Sequence, residues 1–307
     1  MAQVTAQMVK ELRERTQAGM ADCKSALVEA EGDMEKAVEI ILKKGLAKSA
    51  KRAGAIAAEG EVCSLVAEDR KSGVLVEVNI QTDFAARNDK FRDFARNVTA
   101  VALASEPGTN LDEAKYPGTD KTVAQVRDEL IAQIGEKITV RRWEKLVADE
   151  GFVADYVHLG GKIGVLVELA VAESLADKPE VKQLAEDLAM HIAAMNPLYL
   201  DRDKVPAAAV EKQKEIFEAQ LREEGKPEAA WPKILEGKVA KWYTDVCLLE
   251  QEAVTESGTK VRALVDKVAK AVGGTVAVRR FVRFERGEGI EKAADDFAAE
   301  VAKMAGG

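Results

Sequence analysis

Histidine, cysteine and aromatic residues are scarce in this chain, and each shortage removes a class of function. The two histidines, His158 and His191, cannot supply a multi-histidine metal site such as HExxH. The cysteines are odd in number and far apart, which excludes a disulfide framework and a CxxC motif and predicts reduced, buried thiols. They are Cys23, Cys63 and Cys247. We therefore expect neither a metal site nor redox chemistry.

Phosphate-binding loops and long apolar runs are also missing. GxxxxGK[ST] and GxGxxG do not occur, so we expect no cofactor, and any nucleotide must be held by a partner. No run reaches the roughly 20 apolar residues of a membrane span, and the first residues contain no apolar signal core. The formal net charge of -8 argues against direct nucleic-acid binding. We expect a cytoplasmic protein that binds neither membrane nor nucleic acid.

The first part of the chain contains three short helical patterns. Thr5, Asp22 and Asp33 are the predicted N-caps, and Gly45 is predicted to end the third helix. Each helix is too short to be stable alone, so a small three-helix domain is predicted for residues 1–55. The basic segment that follows Gly45, LAKSAKRAG, is interpreted as a linker, with a nucleic-acid patch as the alternative.

An internal repeat organises the middle of the chain. GVLVEV at 73–78 recurs 91 residues later as GVLVEL at 164–169, and VRRW at 140–143 recurs as VRRF at 278–281. Each alternating strand follows a turn and is followed by amphipathic helical patterns. Each copy is therefore predicted to be a hairpin, two helices and a strand, with its sheet covered on one face. The predicted subdomains are residues 56–145 and 146–284.

The second copy contains an insertion of about 48 residues after Pro197. Its apolar residues follow helical spacing on two arms, which predicts an antiparallel coiled-coil hairpin at about 199–255. Pro232 disrupts a helix interior, so the second arm is expected to begin near it. One more amphipathic helix is predicted in a C-terminal module, residues 285–307. The fold class is α+β.

Five stretches, in chain order, closely resemble the bacterial elongation factor Ts family. This family exchanges guanine nucleotides on elongation factor Tu. The resemblance implies an N-terminal domain of the ubiquitin-associated type, a duplicated core and a coiled-coil hairpin in the second half. The stretches are VKELRERTQAGMADCKSAL at 9–27, VEVNIQTDFAARND at 76–89, VHLGGKIGVLVE at 157–168, EEGKPEAA at 223–230 and FVRFERGEGIEK at 281–292. The chain departs from the family's common pattern at Ile80, Gln81, Ala85, Glu252 and Ala253.

The resemblance changes the interpretation of one Asp-Phe pair. From the residues alone, Thr82 caps a short turn, Asp89 caps the next helix, and a Phe at such a turn most often packs into its own core. The resemblance implies instead that Asp83 and Phe84 enter the G domain of elongation factor Tu near its magnesium site. They would then promote GDP release, with the factor binding both the GDP-bound and the nucleotide-free partner.

The resemblance also implies further contacts with elongation factor Tu beside Thr82, Asp83 and Phe84. These residues are Lys24, Ile134, Gly135 and His158. Lys24 is otherwise a solvated lysine, Gly135 a helix C-cap, and His158 a strand residue with a satisfied ring. His191, beside a core position of its helix, is interpreted as structural.

Two other function classes compete with nucleotide exchange. An enzyme requires a nucleophile-base set or a phosphate cradle, and neither is visible. A ubiquitin-like adaptor or helical scaffold without exchange activity explains the three-helix start, but it leaves the duplicated core without a role. The sequence therefore favours an exchange factor that performs no covalent chemistry.

Overall fold

Three packed helices form the start of the chain. The computed structural model describes residues 4–16, 18–52 and 54–291. The helices are α1 (Ala6–Thr16), α2 (Met20–Glu29) and α3 (Met34–Arg52), which we call the three-helix unit. Leu12 and Leu27 are fully buried between them. Thr5 and Asp33 cap α1 and α3 as predicted, since each side chain accepts a hydrogen bond from the backbone N–H three residues later.

Two details of this unit were predicted wrongly. The helix α2 is capped at Gly19 without a side-chain hydrogen bond, and Asp22 lies within its first turn. The helix α3 continues through Gly45 to Arg52, so residues 46–52 are helix and not linker. One glycine costs a helix about 1 kcal/mol, and the Leu, Ala, Lys and Arg residues that follow favour helix strongly enough to continue it.

The first repeat forms a three-stranded antiparallel sheet with helices on one face. The strands are β1 (Glu59–Val66), β2 (Ser72–Ile80) and β3 (Ile138–Val147), in that spatial order. The helices are α4 (Asp83–Ala86), α5 (Asp89–Ala104) and α6 (Val123–Ile134). The predicted apolar stripe of α5 is buried against the sheet, and its residues are Phe91, Phe94, Ala95, Val98 and Ala102. We call these elements the first core unit.

The second repeat builds the same arrangement around an insertion. Its strands are β4 (Phe152–His158), β5 (Ile163–Val171) and β6 (Val276–Glu285), again in that order. Its helices are α7 (Glu173–Ala176), α8 (Pro179–Met195), α9 (Ala207–Glu223), α10 (Trp231–Val246) and α11 (Val261–Val272). Both sheets carry a β-bulge at the same place, after Glu77 and after Glu168. All of these except α9 and α10 form the second core unit. The predicted α+β class is confirmed.

The two sheets are buried on both faces, which corrects the expectation of one covered face. Leu75 and Leu166 point away from their own helices and pack into a shared layer between the sheets. Reciprocal backbone bonds join the edges: Val62 N donates to Gly161 O, and Val153 N donates to Arg70 O, both at 2.8 Å. Each pair is repeated after 91 residues, so the two units meet through an approximate twofold axis.

The helices α9 and α10 form the inserted hairpin. They run antiparallel and are joined by the turn at 224–230, where Gly225 adopts a φ of 66°. Pro232 lies in the first turn of α10, which confirms the predicted start of this arm. Leu221 is the buried residue of α9, and α10, every residue of which is described, has none. The hairpin therefore leaves much of its apolar stripe half-exposed.

His191 fastens the base of the hairpin to the second core unit. Its ring is 2% exposed. Nε2 lies 2.9 Å from Gln251 Oε1, and Nδ1 accepts from the Val254 backbone N–H at 3.3 Å. Gln251 in turn donates to Asp245 O at 2.7 Å, close to the end of α10. These partners fit a neutral imidazole with its proton on Nε2, in agreement with a structural role.

This arrangement predicts an acid-sensitive contribution to stability. Burial lowers the pKa of His191 below its ordinary value of 6.5, although the bond to Gln251 opposes the shift. The unfolded chain therefore takes up this proton first, and the free energy of unfolding falls as pH drops below 6.5, by at most about 1.4 kcal/mol per pH unit. Urea unfolding of the wild type and of His191→Gln at pH 8, 7, 6 and 5.5 measures the effect. The free energy of unfolding should fall less steeply with decreasing pH in the variant than in the wild type, by an amount that corresponds to at most one proton. Equal slopes in the two proteins would contradict the prediction.

The remaining expectations about the fold divide into three groups. The cysteines Cys23, Cys63 and Cys247 are free and buried as predicted, and burial raises the pKa of the Cys63 thiol to about 12. The likeness of the three-helix unit to a ubiquitin-associated domain and the four domain boundaries stay predictions. The predicted C-terminal helix falls almost entirely on residues 292–307, outside the described residues.

Among the helices that are described, none has both the length and the apolarity that a bilayer crossing requires.

Candidate functional site

The predicted Asp-Phe pair lies on a single helical turn between two larger elements. The strand β2 ends at Ile80, α4 follows, and the long helix α5 begins at Asp89. Thr82 caps α4 as predicted, because its Oγ1 accepts from Ala85 N at 3.2 Å. The cap of α5 is Asn88, whose Oδ1 accepts from Lys90 N at 2.9 Å, and not the predicted Asp89. We call residues 82–87 the Asp-Phe turn.

Phe84 projects into solvent. Its side chain is 81% exposed, the largest fraction among the exposed large hydrophobic residues of the described chain. The buried residue of the turn is Ala86, which anchors α4 to the core of the first core unit. The alternative that Phe84 packs into its own core is therefore wrong for the free protein. An exposed aromatic ring on an anchored turn has the geometry of an interface hot spot.

Asp83 is also available to a partner. Its carboxylate accepts from Arg87 Nη2 at 3.0 Å, four residues along the same turn. The side chains of Arg87 and Asp83 are 70% and 47% exposed, and such pairs near the surface contribute between 0 and about 1 kcal/mol. A partner can therefore separate Asp83 from Arg87 at little cost.

The end of α6 lies directly beside the Asp-Phe turn. Gly135 ends α6 in a left-handed conformation, with φ 87°, and its N–H donates to Ile131 O at 2.8 Å. This reversal brings Glu136 onto Thr82: Oε2 accepts from Thr82 N at 3.0 Å, and Oε1 accepts from Thr82 Oγ1 at 2.8 Å. The structure thus brings five predicted site residues into one region, namely Thr82, Asp83, Phe84, Ile134 and Gly135.

The other two predicted residues lie on separate elements. Lys24 is exposed on α2 of the three-helix unit. His158 is half-buried at the end of β4, where its ring stacks on Tyr156 with 5.7 Å between centroids. The Tyr156 hydroxyl lies 2.8 Å from His158 Nδ1, so the ring has a partner within its own sheet.

Sequence reasoning missed two residues beside the Asp-Phe turn and one residue next to His158. Glu136 and Gln81 tie the Asp-Phe turn to the end of α6, the latter by accepting from Lys137 N at 2.9 Å. A carboxylate just beyond a helix C-terminus opposes the helix dipole, and that was the available signal for Glu136. Leu159, next to His158, is 67% exposed and adopts a φ of 49°, which is unfavourable for leucine by about 1–2 kcal/mol. Nothing in its sequence neighbourhood distinguishes it from a residue of an ordinary glycine turn.

The second core unit supplies an internal comparison. Its turn α7 follows β5 as α4 follows β2, but its cap residue is Ala172, which makes no side-chain cap bond. Ser174 occupies the place of Phe84, and Leu175 packs against the core and fills the space beside Gly274. The fold therefore builds this turn without an exposed aromatic ring and without a carboxylate bonded to its cap residue.

The described residues contain no cluster of side chains that could form a metal site. Across residues 4–16, 18–52 and 54–291, no group of three or more His, Cys, Asp or Glu side chains is placed to hold a metal ion. The Asp-Phe turn presents Phe84 and the Asp83 carboxylate at the surface from a backbone that Ala86 anchors. Its arrangement suits binding to another macromolecule.

Comparison with known proteins identifies one family along nearly the whole chain. A sequence model of the family described as Elongation factor TS matches residues 81–288, a span that begins one residue before the Asp-Phe turn. Elongation factor Ts of Clostridium perfringens (strain 13 / Type A) is 48% identical over 305 residues, 99% of each chain. That of Syntrophotalea carbinolica is 49% identical over 304 residues, 98% of this chain and 99% of the relative. The chain therefore belongs to the elongation factor Ts family.

Proposed function

We propose that this chain is a cytoplasmic guanine-nucleotide exchange factor that promotes GDP release from elongation factor Tu during translation elongation. Family membership supports the activity and the partner. The observation that carries the mechanism is the 81% exposure of Phe84 on a turn whose backbone is capped and anchored. The protein binds both the GDP-bound and the nucleotide-free partner, and it contacts neither nucleic acid nor membrane.

The Asp-Phe turn acts as a wedge in this proposal. Phe84 inserts between packed elements of the G domain, and Asp83 places a negative charge near the groups that hold magnesium and the β-phosphate. GTPases hold their nucleotide through the metal and a phosphate-binding loop together, so weakening one set of contacts accelerates release. The low cost of separating Asp83 from Arg87 supports the availability of this carboxylate.

The remaining predicted contacts extend the proposed interface. Ile134 and Gly135 lie beside the wedge, because Glu136 is bonded to Thr82. Lys24 on α2 and His158 at the end of β4 provide contacts from the three-helix unit and from the second core unit. These four residues hold the partner from three places while the wedge acts on the nucleotide site.

Exchange of this kind requires no covalent chemistry. Any factor by which the protein weakens GDP binding is the factor by which GDP weakens binding of the protein, because the two equilibria are linked. The same linkage applies to GTP, so GTP that binds to elongation factor Tu displaces the protein, which can then act on another partner molecule.

Stopped-flow release of a fluorescent GDP analogue from elongation factor Tu tests the proposal. The release rate should rise with the concentration of the full-length protein and approach a maximum, and added unlabelled GDP should weaken the complex between the two proteins. A chain that binds elongation factor Tu without changing the release rate would be a scaffold. A chain that fails to bind it, but binds ubiquitin-like proteins, would be an adaptor.

A further inference from the structure

Glu136 makes two hydrogen bonds to Thr82, the residue at which the Asp-Phe turn begins. One carboxylate takes both donors of a single residue, the backbone N–H at 3.0 Å and the hydroxyl at 2.8 Å. Hydrogen bonds to a charged acceptor are stronger than neutral ones, and a pair of them fixes direction as well as distance. Thr82 is also the N-cap of α4, so whatever holds Thr82 holds the Asp-Phe turn.

We infer that Glu136 is a positioning residue that orients the Asp-Phe turn for nucleotide release, an inference that rests on the proposed function. Glu136 does this through Thr82 and needs no contact of its own with the partner. Gln81 and Lys137 reinforce the same junction from the opposite side, since Lys137 N donates to Gln81 Oε1 at 2.9 Å. Two antiparallel contacts thus join residues 81–82 to residues 136–137.

The second core unit builds the equivalent junction without a carboxylate bonded to the cap residue. Gly273 ends α11 in the left-handed conformation, with φ 71°, as Gly135 ends α6. The next residue is Gly274, where the first core unit has Glu136. Leu175 fills the space beside Gly274, and an apolar contact there replaces the carboxylate. The two bonds from Thr82 to Glu136 and the exposed Phe84 occur together in the first core unit, and the second core unit has neither.

The position of Glu136 is otherwise unfavourable. A negative charge beyond the C-terminus of α6 opposes the partial negative charge of the helix end. Glycine at the equivalent position of the second core unit avoids this penalty. The two bonds to Thr82 are the compensation that the structure provides.

The test measures nucleotide release by the full-length protein with Glu136→Ala. The maximal release rate at saturating concentration should fall about tenfold, the factor expected from the loss of one charged hydrogen bond. The concentration that gives half of this maximum should change less than about twofold, because the rest of the interface is intact. The conservative Glu136→Gln keeps one acceptor and should recover part of the rate. Glu129→Ala is the matched control. It removes a carboxylate of α6 that lies 2.6 Å from Lys121 Nζ, and it should leave the release rate unchanged.

Coupling between the two residues separates positioning from direct contact. In a Thr82→Val background, which already lacks the hydroxyl, Glu136→Ala should cost less than it costs in the wild type. Full multiplication of the two losses, or a rise in the half-maximal concentration with an unchanged maximum, would overturn the inference. An unchanged maximal rate in Glu136→Ala would overturn it as well.

A readout without the partner distinguishes this inference from the proposed function. Hydrogen exchange at the Thr82 amide should be severalfold faster in Glu136→Ala than in the wild type, with unchanged exchange in the strands β1, β2 and β3. If elongation factor Tu also releases GDP at the wild-type rate with Phe84→Ala and with Asp83→Ala, the wedge itself fails. If Phe84→Ala is slow and Glu136→Ala is not, only the positioning role fails.

Discussion

Replacement of Phe84 by alanine is expected to reduce the maximal rate of GDP release from elongation factor Tu by about 30-fold, since an aromatic hot spot contributes about 2 kcal/mol or more. The ring is 81% exposed in the free protein, so its removal leaves no cavity and no unpaired group. The free energy of unfolding should change by less than about 0.5 kcal/mol, as at other exposed sites. Stopped-flow release and urea unfolding on the same preparations measure the two quantities.

The second core unit provides the matched control for this prediction. Ser174→Ala alters an exposed residue of the equivalent turn, which carries no aromatic ring, and should leave the release rate unchanged. Asp83→Ala tests the other half of the wedge and should also slow release while breaking only the exposed pair with Arg87. Wild-type release rates in both Phe84→Ala and Asp83→Ala would reject the wedge. Slow release accompanied by lost stability would assign Phe84 to folding instead.

The sequence predicted the elements that local chemistry determines. The repeat, the amphipathic helices, the cap at Thr82 and the start of α10 near Pro232 follow from periodicity and from the backbone restrictions of individual residues. The family resemblance rested on motifs that extend from residue 9 to residue 292. These signals were sufficient for the α+β class and for the family.

The errors arose where tertiary context decides between local alternatives. Asn88 and Asp89 are both good caps, and the path of the chain out of α4 selects Asn88. Gly45 was weighed alone, without the helix formers that follow it. The second buried face of each sheet could not be predicted, because a strand rich in valine is compatible with a sheet that is covered on one face or on both. Glu136 was missed because its partner lies 54 residues earlier and only the folded chain brings them together.

The largest effect on stability is expected from loss of Glu77, the buried carboxylate that joins the two core units. Its side chain is fully buried and accepts from Arg141 at 3.0 Å, from Arg142 Nε at 2.6 Å and from Asn79 Nδ2 at 3.0 Å within the first core unit. It also accepts from Gly287 N at 2.7 Å, beyond the end of β6. Removing one partner of a buried ion pair costs about 3–5 kcal/mol. Glu77→Ala removes the acceptor of the Gly287 N–H and one acceptor of each arginine, and the arginines keep their bonds to residues 285–288. Urea unfolding at pH 7.5 measures the loss.

Glu168→Ala is the control, because Glu168 follows Glu77 by 91 residues and lies at the same bulge. Its carboxylate is held by Arg280 Nε at 2.6 Å, and that arginine is 52% exposed, so it can be solvated when the carboxylate is removed. Glu168→Ala should therefore cost clearly less than Glu77→Ala. Equal losses in the two variants would show that the bond to Gly287 and the contact between the core units add nothing.

The same carboxylate should give the wild type a distinctive response to acid. Burial raises the pKa of Glu77, but the bonds from Gly287 N, Asn79, Arg142 and Arg141 outweigh it and hold the pKa below its ordinary value of 4.5. The unfolded chain therefore binds this proton first. The stability that Glu77 contributes is fully present above pH 4.5 and is lost as pH falls through the lower folded pKa. Unfolding curves between pH 6 and pH 3.5 should fall more steeply for the wild type than for Glu77→Gln. Parallel curves would mean that the pKa of Glu77 is the same in the folded and the unfolded chain, and a wild-type curve that rises relative to the variant on acidification would mean that the carboxyl is protonated in the folded protein. Either outcome would contradict the assignment of Glu77 as the charged link between the core units.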